Sequence, residues 1–228
     1  MTNMPKVLII DAENVLFPAE ELYQDALNLA FADVTGGKIR FERSAVKNIL
    51  LGNSFMDIVE FAISFKPRTR ITDKERELAI RKFIEYTESF LVRGKLAGTK
   101  KEHLEVLQWF QQAEIPIVFC SNMSNEILMK YLDATGYLSL VDYVITPDRV
   151  KKEMDGNGFP KPSKEMYIKI LSRYGLQDSD FLSIEGTLGG ASACKFAQLN
   201  YIFCKEPKLF NLEKVKKALE EMELITFQ

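Results

Sequence analysis

The sequence has few cysteines and a single histidine, and both scarcities narrow the chemistry it can carry. Its three cysteines, Cys120, Cys194 and Cys204, are too few and too far apart for a disulfide framework or a zinc site, so we expect reduced thiols. The one histidine, His103, lies in a helix-like segment, where we expect it at the surface. Mechanisms that depend on a histidine base are therefore not favoured.

A large excess of charge is also missing. The chain has 228 residues with 30 basic and 32 acidic side chains, which gives a net charge of −2. Without a basic excess to neutralise a phosphate backbone, nucleic-acid binding is disfavoured as the main task. The first apolar run stops at Asp11, and no run approaches the roughly 18 residues of a membrane span, so we expect neither a signal peptide nor a membrane contact. The composition is that of an ordinary soluble protein, and the cysteine usage predicts a cytoplasmic one.

Short apolar runs alternate with helix-like segments over most of the chain. The apolar runs predict strands at Val7–Ile10, Ile117–Cys120, Tyr143–Thr146, Phe181–Ile184 and Tyr201–Phe203. Helical spacing of apolar residues predicts helices at Lys101–Gln112, Asn125–Ala134, Ser163–Tyr174, Gly189–Leu199 and Leu212–Met222. This alternation predicts an α/β fold, in which helices cover both faces of a parallel sheet.

One long stretch interrupts the alternation. Residues 17–93 contain no clear strand, and their pattern predicts helices at Ala19–Phe31, Arg43–Leu50, Ser54–Phe65 and Asp73–Val92. We therefore expect two domains: an α/β core formed by residues 1–16 and 94–228, and a small α-helical domain of residues 17–93 inserted after the first strand.

Polar side chains with related chemistry follow several predicted strands or lie in loops near them. They are Asp11, Glu13, Ser121, Asn122, Lys161 and Glu185. Ligands of parallel α/β sheets bind outside the carboxyl ends of the strands. Carboxylates, a lysine, a hydroxyl and backbone N–H groups suit phosphate and Mg²⁺, and an ionised carboxylate can attack phosphorus to form an aspartyl phosphate. Because two anions repel, such a site needs the metal and the lysine to offset the charge.

Four segments, in order, resemble the motifs of the haloacid dehalogenase-like hydrolases. They read LIIDAENVLF, IVFCSN, GFPKPSKEMY and LSIEGTLGGASACKFAQLNYIF. The stretch LLGNSFMDIVEF is similar to the substrate-loop region of the helical cap in the subclass whose cap follows the first strand, as in β-phosphoglucomutase and related phosphatases. The resemblance covers essentially the whole chain. It implies a Rossmann-like core, a helical cap and a magnesium-dependent phosphatase that acts on a small phosphorylated metabolite.

The resemblance also implies which residues carry the reaction. Asp11 would be the nucleophile, and Asp11, Glu13 and Glu185 would be the magnesium ligands, with Glu13 contributing its backbone carbonyl. The side chain at position 13 would protonate the leaving group and then activate water. Lys161 would neutralise the charge of Asp11 and of the phosphate.

The substrate contacts are implied in the same way. Ser121 and Asn122, at the end of the second predicted strand, would hold the phosphate together with Lys161. Gly52, Asn53 and Ser54 would lie on the cap and face the pocket. The resemblance therefore assigns phosphate binding to the core and substrate recognition to the cap.

Two positions depart from the family pattern. Glu13 stands where the family has Asp, and its extra methylene moves the carboxyl by about 1 Å, a displacement that can lower the rate on the order of 10²-fold. Gly186 stands where the second acid of the fourth motif is expected, so magnesium should bind more weakly. Asp148 is a candidate replacement acid.

The sequence leaves three functions open. The first, which we favour, is a magnesium-dependent phosphatase with modified or weak activity. The second is a catalytically inactive member of the superfamily that binds a ligand or a protein partner. The third is another enzyme of the superfamily, such as a phosphoglucomutase-like enzyme or a hydrolase of carbon–halogen or carbon–phosphorus bonds.

Overall fold

A five-stranded parallel sheet forms the centre of the protein. The computed structural model describes residues 4–42, 55–65, 70–94, 96, 100–153 and 158–226. The strands are β1 (Val7–Ile10), β2 (Ile117–Cys120), β3 (Tyr143–Ile145), β4 (Phe181–Glu185) and β5 (Asn200–Phe203). Their order is β3-β2-β1-β4-β5, and every neighbouring pair is parallel. Because β1 is the central strand, the residue that follows it lies in the middle of the carboxyl edge.

Helices lie between and after these strands along the chain. They are α1 (Ala19–Thr35), α2 (Phe55–Ser64), α3 (Asp73–Val92), α4 (Lys101–Gln112), α5 (Asn125–Ala134), α6 (Pro147–Glu153), α7 (Glu165–Tyr174), α8 (Leu188–Phe196) and α9 (Leu212–Thr226). Leu8 and Ile10 of β1 pack into one apolar cluster, whereas Val7 and Ile9 pack into another. Alternate residues of a strand point to opposite faces, so both faces are buried, and the predicted α/β fold is confirmed.

Helices α1, α2 and α3 follow β1 and share an aromatic cluster. The rings of Tyr23, Phe55 and Phe83 meet edge to face, with centroids 5.5–5.8 Å apart. Such ring pairs add about 0.5–1.5 kcal/mol each beyond the area they bury. The helix predicted at Arg43–Leu50 lies outside the described residues, and the division into a core and a cap domain stays a prediction.

Several predicted boundaries differ from the structure. Helix α1 continues to Thr35 and ends where Gly36 adopts a left-handed conformation, with φ of 63°. Strand β4 extends one residue further than predicted, because Glu185 still pairs with Phe203 of β5. Helix α6 was not predicted, since its short, mostly polar sequence has no apolar period. Within the described part of the chain, every helix is too short or too polar to cross a lipid bilayer.

His103 is buried, so the expectation of a surface position is wrong. Its ring packs against Phe210 at 5.2 Å between centroids, and its Nε2 lies 3.0 Å from the carbonyl oxygen of Pro207. Because a carbonyl only accepts, Nε2 carries the proton and donates. Burial lowers the pKa of His103 to about 4, so the ring is neutral at physiological pH.

This buried histidine makes the fold sensitive to acid. The pKa of His103 is lower in the folded protein than its value of 6.5 in the unfolded chain, so the neutral ring contributes to stability above pH 6.5. This contribution is lost as the pH falls towards 4. We expect the stability advantage of the wild type over His103→Phe to shrink by about 2 kcal/mol between pH 6.5 and 4.5. Urea unfolding of both proteins at the two pH values measures this difference. An advantage that does not change with pH would contradict a neutral, buried His103.

Candidate active site

Asp11 lies directly after the central strand and is completely buried. Its backbone N–H donates to the carbonyl of Ile184 in β4, which fixes the residue at the carboxyl edge of the sheet. Its Oδ1 lies 3.3 Å from Nζ of Lys161, and its Oδ2 accepts a hydrogen bond of 3.2 Å from Oγ1 of Thr187. Burial raises the pKa of Asp11 to about 6, although the Lys161 ammonium opposes the rise. The carboxyl is therefore mainly ionised at neutral pH.

Lys161 brings a buried positive charge between two carboxylates. Its Nζ lies 3.0 Å from Oε2 of Glu185 as well as beside Asp11. Asn122 holds the lysine in place: its Oδ1 accepts from the backbone N–H of Lys161 at 2.7 Å, and its Nδ2 donates to the Lys161 carbonyl at 3.1 Å. Ser121 is fully buried, and its Oγ accepts from the N–H of Met123. The amide predicted to hold phosphate thus fixes the lysine segment.

Glu185 has hydrogen bonds at both of its carboxylate oxygens. Oε1 accepts from the hydroxyl of Tyr167 at 2.6 Å, from Oγ of Ser183 and from Sγ of Cys194. Oε2 accepts from Nζ of Lys161. These donors come from α7, β4, α8 and the loop before α7, so the side chain is held on several sides. A buried anion with this many donors is well stabilised where it lies.

Glu13 contacts the helical region. Its Oε1 accepts a hydrogen bond of 2.7 Å from the hydroxyl of Tyr23 on α1, and only 2 % of the residue is exposed. Burial, and then the nearby Asp11 charge, raise the pKa of Glu13 to about 8. The carboxyl is therefore mostly protonated at neutral pH, and it has a proton to give.

Gly186 sits against the backbone of the first motif. A Cβ at this position would lie 1.9 Å from the carbonyl oxygen of Glu13, a distance that no side chain tolerates. Asn14 stabilises the same contact, because its Nδ2 donates to the Gly186 carbonyl and its Oδ1 accepts from the N–H of Ala19. Asn14 itself adopts a left-handed conformation, with φ of 58°, which asparagine tolerates better than most residues. The missing acid therefore has a steric reason.

These residues do not fit a magnesium ion in the arrangement seen. Magnesium takes carboxylate oxygens that are free to bind it, together with waters. The Glu185 oxygens are occupied, the Glu13 carbonyl oxygen lies against Gly186, and position 186 has no side chain. The described residues contain no group of three or more side chains placed to hold a metal. Asp148 accepts hydrogen bonds from Asn125 N–H and Thr146 Oγ1, so it caps the start of α5.

The structure thus brings most of the predicted site residues together, and it adds others. Lys161 contacts both Asp11 and Glu185. Gly52, Asn53 and Ser54 lie outside the described residues. Sequence reasoning missed several contributors, among them Tyr23, Tyr167 and Thr187. Thr187 caps α8 through Gly190 N–H, and a threonine before a helix start is a recognisable cap signal. The two tyrosines carry no such signal, since a buried helix face also suits tyrosine as packing.

Solved structures with the same fold include enzymes that act on phosphorylated compounds. A predicted phosphoglycolate phosphatase from Haemophilus somnus is 16% identical, with a TM-score of 0.73 over 89% of this chain and 86% of that one. A β-phosphoglucomutase from Clostridium difficile is 14% identical, with a TM-score of 0.72 over 97% and 100% of the two chains. CbbY from Rhodobacter sphaeroides, solved with phosphate, is 18% identical, with a TM-score of 0.70 over 88% and 86%. At these identities the likeness establishes the fold alone.

No curated protein matches this chain significantly. Comparison with family models, however, gives information beyond the fold. The family model of the haloacid dehalogenase-like hydrolases matches residues 5–198, which include Asp11, Lys161 and Glu185. Since this match extends over most of the sequence and over the charged cluster at the sheet edge, the chain belongs to the haloacid dehalogenase-like hydrolases.

Proposed function

We propose that the protein hydrolyses a phosphate monoester of a small metabolite, with Asp11 as the nucleophile. The observation that carries the proposal is the Asp11 carboxylate, held at the end of the central strand 3.3 Å from the Lys161 ammonium. The ammonium favours the ionised, nucleophilic form of Asp11. It also reduces the repulsion between this carboxylate and an incoming phosphate.

The first step transfers the phosphoryl group to the protein. An Oδ of Asp11 attacks phosphorus, the bond from phosphorus to the leaving oxygen breaks, and the proton of Glu13 passes to that oxygen. The raised pKa of Glu13, about 8, suits this role, because a general acid must hold its proton at the working pH. The product alcohol then leaves, and the aspartyl phosphate remains.

The second step regenerates the carboxylate. Water attacks phosphorus and gives a proton to the Glu13 carboxylate, and the bond from phosphorus to the Asp11 oxygen breaks to release inorganic phosphate. Lys161 stays beside Asp11 through both steps and balances the charge that returns to it. Both steps balance with these side chains and water, so the proposed reaction does not depend on the magnesium that the resemblance implies.

Substrate entry requires part of the protein to move. Asp11 has no exposed surface, and Tyr23 from α1 covers Glu13. We infer that a phosphate reaches Asp11 only after a local opening, which includes release of the Tyr23 contact with Glu13. We therefore expect slow turnover, limited by this opening.

A second function is favoured by a different observation. The hydrogen bonds that occupy Glu185, and the backbone contact that excludes a side chain at position 186, remove two of the expected metal ligands. In this alternative the protein is catalytically inactive and uses the fold to bind a ligand or a protein partner.

Release of inorganic phosphate distinguishes the two functions. We expect the wild type to release phosphate from at least one member of a panel of sugar phosphates, nucleotides and p-nitrophenyl phosphate, assayed with and without Mg²⁺. Asp11→Asn removes the nucleophile and should lower the rate by at least about 10³-fold. Asp133→Asn, an exposed position on α5, is the matched control and should keep the wild-type rate. Turnover no higher than that of Asp11→Asn on every substrate would favour the inactive alternative.

A further inference from the structure

We propose that the Lys161 ammonium takes the place of a divalent cation at this site, so that Asp11 and Glu185 bind no magnesium. Exclusion of the ion does not depend on whether the protein turns over a substrate. It rests on the contacts of Lys161, on the orientation of Glu185 and on the close approach of Gly186 to the first motif.

Lys161 supplies the positive charge that the two carboxylates need. Its Nζ lies 3.3 Å from Asp11 Oδ1 and 3.0 Å from Glu185 Oε2, and all three groups are buried. A cation that bridged the same carboxylates would meet the ammonium at close range in a medium of low dielectric. The repulsion between like charges there is strong, because water does not screen it. Lys161 thus offsets the negative charge of the two carboxylates.

The backbone holds Glu185 in an orientation that suits the lysine. A Cβ at Gly190 would lie 1.9 Å from Oε2 of Glu185, so the carboxylate packs directly on the start of α8. Tyr167, Ser183 and Cys194 hold its other oxygen. Turning this carboxylate towards a metal would leave three buried donors without their acceptor, which is costly.

The contact at Gly186 closes the remaining ligand position. The Glu13 carbonyl, which the resemblance assigns to the metal, lies where a Cβ of residue 186 would be. An acid at position 186 therefore cannot be added without displacing this peptide. The fourth motif is adapted to the backbone of the first, and a single substitution does not restore a metal ligand there.

Titration of the full-length protein with MgCl₂ tests the proposal directly. We expect no saturable heat in calorimetry through the millimolar range and no change in the midpoint of thermal unfolding. Saturable binding that is lost in Asp11→Asn would overturn the proposal. Binding that Asp11→Asn leaves unchanged lies elsewhere on the protein, and it agrees with a site that excludes the ion. Because heat and Tm are the readouts, a failure of the proposed hydrolase activity does not alter either outcome.

Two substitutions at one position test the steric argument. Gly186→Asp adds the expected acid, and Gly186→Ala adds the same Cβ without the charge. We expect both to lower the Tm, by at least about 5 °C, and neither to gain Mg²⁺ binding. A Gly186→Asp protein that keeps the wild-type Tm and gains a saturable Mg²⁺ heat would overturn the proposal.

Discussion

Lys161→Met should lower the free energy of unfolding by about 3–5 kcal/mol at pH 7, the largest effect that we expect at any single position. Methionine preserves much of the length and volume of lysine, so the loss reports the charge. Without the ammonium, the buried carboxylates of Asp11 and Glu185 lose their shared cation, at 3.3 and 3.0 Å. Urea unfolding with a common m-value measures the difference.

A substitution at an exposed lysine and a measurement at lower pH serve as controls for Lys161→Met. Lys164→Met changes an exposed lysine three residues away and should alter stability by less than about 0.5 kcal/mol. The loss in Lys161→Met should shrink at pH 5, because Asp11, with a pKa of about 6, then takes up a proton. A loss below about 1 kcal/mol at pH 7 would mean that Lys161 does not stabilise the buried carboxylates.

Glu13→Gln should remove most of the pH dependence of stability near neutral pH. The pKa of Glu13 is about 8 in the folded protein and 4.5 in the unfolded chain. The contribution of protonated Glu13 to the free energy of unfolding is therefore complete below pH 4.5 and is lost as the pH rises through 8. Between pH 6.5 and 8 the wild type should lose about 1.5 kcal/mol of unfolding free energy. Glutamine keeps an acceptor for Tyr23 but cannot ionise, so the stability of the Glu13→Gln protein should stay nearly constant over this pH range.

Between pH 6.5 and 8, the change in stability reports Glu13 and not the other groups whose pKa values are shifted. Asp11, with a pKa of about 6, has mostly completed its change by pH 6.5, and His103 acts below that pH. Urea unfolding at pH 6.5, 7.25 and 8 gives the slope for each protein. Equal slopes for the wild type and Glu13→Gln would show that Glu13 is already ionised in the folded state and cannot serve as the proton donor.

The fold was predictable because its signals are local. Val7–Ile10 is an apolar run that ends in an acid, and the helices around the sheet carry apolar residues at helical spacing. Strand ends of a parallel sheet converge, so the sequence pattern predicts Asp11 and Glu185 at one edge. Lys161 follows no strand directly, and only the family resemblance implies its place beside Asp11.

The chemistry of the site was less predictable because it depends on distant contacts. The partner of Glu13 is Tyr23, on a helix whose pattern indicates only packing. From the sequence, Gly186 is simply a missing acid, whereas in the fold it allows the Glu13 backbone to approach. Likewise, the motif assigns Glu185 to a metal, but the donors that surround it come from separate elements. Such contacts follow from packing and have no local sequence pattern.

Intact-protein mass measurement tests most directly whether Asp11 becomes covalently phosphorylated. The protein is mixed with its best substrate and quenched in acid within one turnover, which preserves an acyl phosphate. We predict that the wild type gains the mass of one phosphoryl group and that Asp11→Asn does not. Phosphate release by the wild type without any such adduct, or an adduct of equal amount in Asp11→Asn, would contradict the role of Asp11 as the nucleophile.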